Sequence, residues 1–151
     1  MAINKVETII DRVIALLTGL TTTAGNIERG RVHVIPDDVD EFLSVYRGGN
    51  VPADGDESIT PAAYWWLTVS IDMHARPSDT QTADQRLSTI EQEVIVALMA
   101  DLQLGLSMIV KQIGEGGASE PDIDGEGAET TAMMTKEFYI QYRRAYNDPG
   151  A

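Results

Sequence analysis

Asp72 and His74 stand two residues apart in a stretch of alternating polarity. On an extended strand such side chains share a face about 7 Å apart, close enough for a bridging water. A carboxylate beside an imidazole can form a general base. No nucleophile or oxyanion device accompanies the pair, so the sequence predicts a surface histidine. His33, beside Arg31, reads the same way. Asp122-Ile123-Asp124-Gly125-Glu126 sets carboxylates at alternate positions, as a calcium loop does. The further ligands, the closing bidentate glutamate and the flanking helices of an EF-hand are missing. Gly114-Glu115-Gly116-Gly117 is glycine-rich. Its acidic neighbours would repel phosphate, and no predicted helix follows to offer a positive N-terminus. The chain has no GxxxxGK[ST], no strand-associated GxGxxG and no GxSxG. The expectation is a protein without catalytic residues, cofactor or metal.

Composition narrows the classes further. The 151 residues suit one domain with its own core, and 43% hydrophobic with 23% charged residues is ordinary globular usage. The absence of cysteine excludes disulfides, thiolate metal sites and cysteine nucleophiles. Twenty-four acids against eleven bases give a net charge of -13. Such a chain repels nucleic-acid phosphates, whose binding needs Lys and Arg. No apolar run approaches the roughly 20 residues of a membrane span. The charged residues Lys5, Glu7, Asp11 and Arg12 interrupt any signal-peptide core. The expectation is a soluble protein made in the cytoplasm.

The elements that would position these residues follow from periodicity. Ile3, Val6, Ile10, Val13, Ile14 and Leu17 recur at helical steps and predict a helix over 3–20. Strands are predicted at about 31–35 and 41–47, with a polar loop over 48–62. Residues 63–75 alternate strictly: Trp65, Leu67, Val69, Ile71 and Met73 lie on one face, Tyr64, Trp66, Thr68, Ser70, Asp72 and His74 on the other. A second helix is predicted over about 83–101, with a stripe of Ala83, Leu87, Ile90, Val94 and Leu98. Capping-box spacing occurs at Ser78–Gln81 and at Thr82–Gln85. Further strands are predicted at 107–113 and 132–146, the latter with Phe138, Ile140, Tyr142 and Tyr146 on one face. Residues 114–130 hold six acids, five glycines and no base, which reads as a self-repelling flexible loop. The sum is a single α+β domain: a mainly antiparallel sheet of about five strands, with two helices packed on one face.

With no chemical constellation, the residues left over are candidates for contact. Adjacent strand residues point to opposite faces, so Trp65 inside places Trp66 outside with Tyr64. Exposed aromatics are enriched at protein–protein contacts. Arg143 and Arg144 are a poor nucleic-acid footprint in so acidic a chain, and pairing with acidic side chains of a neighbour suits them better; Arg76 is similar. The candidate interface is therefore Tyr64, Trp66, Asp72, His74, Arg76 and Arg143. A candidate channel or assembly loop carries Glu115, Glu120, Asp122, Asp124, Glu126 and Glu129.

Four stretches, in this order, resemble the tail terminators of long-tailed bacteriophages, a minor tail protein family. They are Ile9-Ile10-Asp11-Arg12-Val13-Ile14-Ala15-Leu16-Leu17-Thr18-Gly19-Leu20 with Ile27-Glu28-Arg29-Gly30-Arg31-Val32; the strand 63–75; Leu87-Ser88-Thr89-Ile90-Glu91-Gln92-Glu93-Val94 through Ala100-Asp101; and Phe138-Tyr139-Ile140-Gln141-Tyr142-Arg143-Arg144-Ala145-Tyr146. The resemblance is one of pattern and order, without an invariant motif. It implies a structural virion protein that sits as a homo-hexameric ring on the last ring of tail-tube protein, at the head-proximal end of the tail. The ring ends tube polymerisation and offers a joining surface to the head-side connector or stopper protein. DNA would pass through as unbound cargo, and no membrane is involved. Another neck or head-completion ring protein has similar size and composition and stays open here. So do two readings of different class, a small acid–base enzyme using Asp72 and His74 and a calcium-responsive module using the acidic loop.

Overall fold

The structure is a computed structural model that describes residues 4–30, 39–53, 64–124 and 131–144. Helix α1 runs Lys5–Thr18. The Asn4 side chain accepts from the Glu7 backbone N–H at 3.2 Å and caps its first turn. One face is buried through Val6, Ile9, Ile10, Val13 and Leu17. Helix α2 runs Ala83–Met99 and buries the predicted stripe of Ala83, Leu87, Ile90, Val94 and Leu98. The Thr82–Gln85 capping box forms reciprocally, with bonds of 3.2 and 2.9 Å.

The strands are β1 (Ile27–Arg29), β2 (Glu41–Pro52), β3 (Tyr64–Ala75), β4 (Val110–Ala118), β5 (Asp122–Asp124) and β6 (Thr131–Arg143). They form one sheet in the order β1-β2-β3-β6-β4, with β5 also pairing β6. Every pairing is antiparallel except β1 with β2. The α+β class with a largely antiparallel sheet and two helices is as the sequence predicts, with six strands rather than about five. The predicted strand at 31–35 lies outside the described residues.

Register explains the core. Leu67, Val69, Met73 and Ala75 of β3 face Ile140, Phe138, Met134 and Ala132 of β6. Leu43 and Val45 of β2 continue those rows. These side chains form one apolar cluster with the buried stripes of α1 and α2, so both helices cover the same sheet face. Polar ties seat the helices: Arg12 Nε donates to the Leu104 carbonyl at 2.9 Å, and Arg29 grips Glu7 through both guanidinium nitrogens.

Two predictions need correction. First, of the flexible loop expected over 114–130, residues 114–118 continue strand β4 and 122–124 form β5, while 125–130 lie outside the described residues. Glycine makes this possible. A Cβ on Gly116 would stand 2.8 Å from the Glu137 carbonyl oxygen and 2.8 Å from the Tyr139 ring, so the aromatic lies over a bare strand position. Lys136, on the core side of β6, donates to Glu115 at 2.6 Å and to the Gly116 carbonyl at 2.8 Å. Second, the sheet face opposite the helices is not wet along its whole length. Phe42, Ser44, Ser70, Asp72 and His74 on that face are all buried.

Candidate functional site

The six residues expected to share an interface fall into two groups at opposite ends of β3. Asp72, His74 and Arg76 lie at one end. Asp72 is 1% exposed and His74 2%. Asp72 Oδ1 accepts from the Tyr46 hydroxyl at 3.0 Å and from the Thr135 hydroxyl at 2.6 Å. These partners come from the flanking strands, because Ser44↔Asp72 and Asp72↔Thr135 are register pairs. The His74 ring meets Phe42 edge-on at 6.3 Å. Its Nε2 and the nearby Ser44 hydroxyl are buried without a hydrogen-bond partner among the described residues. Burial holds the His74 imidazole below its ordinary range, and the Asp72 carboxylate only partly opposes this. Arg76 Nη1 donates to the Val39 carbonyl at 2.6 Å. This end is therefore a closed polar cluster inside the fold. The surface histidine expected from alternation is corrected: alternation reports which face is less apolar and says nothing of what covers it. At this exposure the imidazole is out of contact with solvent, and burial favours its neutral form.

Tyr64, Trp66 and Arg143 occupy the other end. Tyr64 and Arg143 are direct register partners, and Trp66 pairs with Gln141. Tyr64 and Trp66 are partly exposed and Arg143 is exposed. The neighbouring Trp65 packs against the core, with the Arg144 guanidinium stacked 3.9 Å from its ring centre. Beside them Lys111 Nζ sits 4.6 Å from the centre of the Tyr64 ring. A pocket of about 240 Å³ opens here, lined by Tyr64, Met108, Ile109, Lys111 and Arg143 among others. No carboxylate among the described residues lies within ion-pair distance of Lys111 or Arg143. Lys111 and Met108 were not anticipated. The run Met108-Ile109-Val110 reads as strand, yet 107–109 is a turn that leaves Met108 87% exposed. A lysine directly following an apolar run in so acidic a chain was the available signal.

The acidic candidates are also divided. Glu115 belongs to β4 and is engaged with Lys136. Glu120, Asp122 and Asp124 are exposed. Glu126 and Glu129 lie outside the described residues. Between Asp122 and Asp124 stands Ile123, an apolar side chain 56% exposed. Among the described residues no three His, Asp or Glu side chains gather in a metal-holding group. No described helix is long and apolar enough to cross a membrane.

No family model and no curated protein matches this chain. Among the solved structures that resemble this chain, one matches over 93% of it and 96% of its own length, at 10% sequence identity and a TM-score of 0.49. A likeness that distant carries no argument about function.

Proposed function

We propose that this protein is a ring-forming structural subunit of the tail-terminator type, which ends the tail tube of a long-tailed phage and presents a joining surface to the head-side connector or stopper. The observation that carries this reading is where the four resembling stretches fall. They supply α1 with β1, then β3, α2 and β6, and the buried side chains of α1, α2, β3 and β6 share one apolar cluster. The resemblance thus follows the architecture rather than scattered surface segments. The partly exposed Tyr64 and Trp66 beside exposed Arg143 supply a surface suited to association. A net charge of -13 suits a wall past which DNA moves without binding. No catalytic role is assigned to Asp72 and His74, which are enclosed.

The test is complementation. Phage carrying a nonsense mutation in the corresponding gene would be grown with and without the wild-type chain, and tails examined by electron microscopy. Overlong, headless tails that return to normal length on complementation support the reading. Normal-length tails lacking only their heads would point instead to a neck or head-completion role.

A further inference from the structure

We infer that the pocket between β4 and the end of β6 receives a carboxylate side chain and its apolar neighbour from an acidic segment of a partner protein. The inference stands on the chemistry of the pocket and is independent of the ring-subunit reading. Two cations define the site. Arg143 ends β6 and is the register partner of Tyr64. Its backbone is held on both sides: its N–H donates to the Ile109 carbonyl at 2.9 Å, and its carbonyl accepts from Lys5 Nζ at 2.9 Å. Lys111 arrives by a different device. The register runs Val110↔Tyr142 and then Gln112↔Gln141, so Lys111 is the extra residue of a bulge. A bulge re-aims a side chain, and Lys111 Nζ stands 4.6 Å from the centre of the Tyr64 ring. Both cations are exposed and without an ion-pair partner among the described residues, whereas Arg29, Arg86 and Lys136 are each paired with a glutamate. In a chain with 24 acids and 11 bases, two unpaired cations in one pocket mark a place left for an acid from outside.

The rest of the lining sets the shape of the occupant. Gln103 and Ser107 add neutral polar groups, Ile109 and the 87% exposed Met108 add an apolar rim, and no acid is among the described lining residues. The volume of about 240 Å³ falls below the roughly 300–1,000 Å³ of pockets that enclose free small molecules. It suits one inserted side chain, with an apolar neighbour against Met108. Net charge then decides between a protein carboxylate and a nucleic-acid phosphate, since the same cations attract both. At about 0.1 M salt, charges act over about 10 Å. A single carboxylate therefore feels chiefly Lys111 and Arg143. A polyanion laid across the surface meets the rest of a chain of net charge -13.

The test uses the intact chain and two acetylated, amidated peptides, Leu-Glu-Leu-Asp and its isostere Leu-Gln-Leu-Asn. Backbone and side-chain NMR shifts read binding at about 0.1 M salt. A thymidine oligonucleotide serves as the phosphate probe. The acidic peptide should shift the signals of Tyr64, Ile109, Lys111 and Arg143 together, and the amide peptide should bind at least about tenfold more weakly, because it offers no charge-assisted bond to either cation. Joint substitution Lys111→Gln and Arg143→Gln should abolish the response, whereas Lys111→Arg alone should keep it. Both positions are exposed, so these variants should fold, which thermal melting checks. The peptide pair on the wild-type chain decides the matter even if the double variant melts early. Shifts that map elsewhere, equal binding of the two peptides, or no response at millimolar peptide would each overturn the inference. So would unchanged binding by the double glutamine variant, or tighter binding of the oligonucleotide than of the acidic peptide.

Discussion

His74 is enclosed with a ring nitrogen that has no hydrogen-bond partner among the described residues, and burial pushes its proton affinity down. An imidazole in the unfolded chain titrates at about 6.5. Below that value the unfolded state holds a proton that the folded state does not yet accept. Stability is therefore full above about pH 6.5 and falls as pH drops from there through the folded pKa. Thermal melts from about pH 7.5 down to 5.5 should show this decline, and His74→Gln should flatten it. An equal slope in the variant would show that another group titrates. Asp72 makes a stronger demand, since two hydroxyls from flanking strands donate to it. Asp72→Ala should cost about 1–3 kcal/mol by urea denaturation, because it leaves buried partners unsatisfied. A silent substitution would contradict the enclosed cluster.

Strand β3 carries the core row through fully buried Leu67, Val69, Ile71 and Met73. Ile71→Ala should leave a cavity and cost about 2–5 kcal/mol. Strand β4 depends instead on a missing side chain. Gly116→Ala should cost about 1–3 kcal/mol, since the new methyl meets a backbone carbonyl of β6 that cannot move aside alone. Replacing 114–130 by a short turn should destabilise the chain as well, because Lys136 would lose both Glu115 and the Gly116 carbonyl. Calorimetry of these variants against wild type reads all three. The contrast explains what could be read in advance. The stripe of α2, its Thr82 cap and the alternation of 63–75 were legible because local spacing of residue types alone specifies them. The strand within the acidic stretch was not, because its pairing rests on glycine lying under Tyr139 and on one buried lysine from a distant strand. The closed end of the outer face was hidden for a related reason: Asp72 and His74 look solvated in sequence, and only cross-strand register brings the Tyr46 and Thr135 hydroxyls to the Asp72 carboxylate.

As a whole the molecule is strongly acidic yet gathers bases at one end of β6 and exposed acids near the other. Two bodies of charge -13 held about 35 Å apart repel by about 20 kcal/mol in unscreened water. Exposed ion pairs return only about 0.2–1 kcal/mol each. Repulsion therefore governs the salt response, and raising ionic strength should promote self-association as the Debye length shrinks to about 10 Å or less. Sedimentation across a salt series reads this directly; association strongest at the lowest salt would contradict it. Tail length tests the proposed role in the particle most directly. Electron microscopy of phage lacking this protein should show headless tails of excessive and variable length, restored by the wild-type chain. Tails of normal length in its absence would contradict the account.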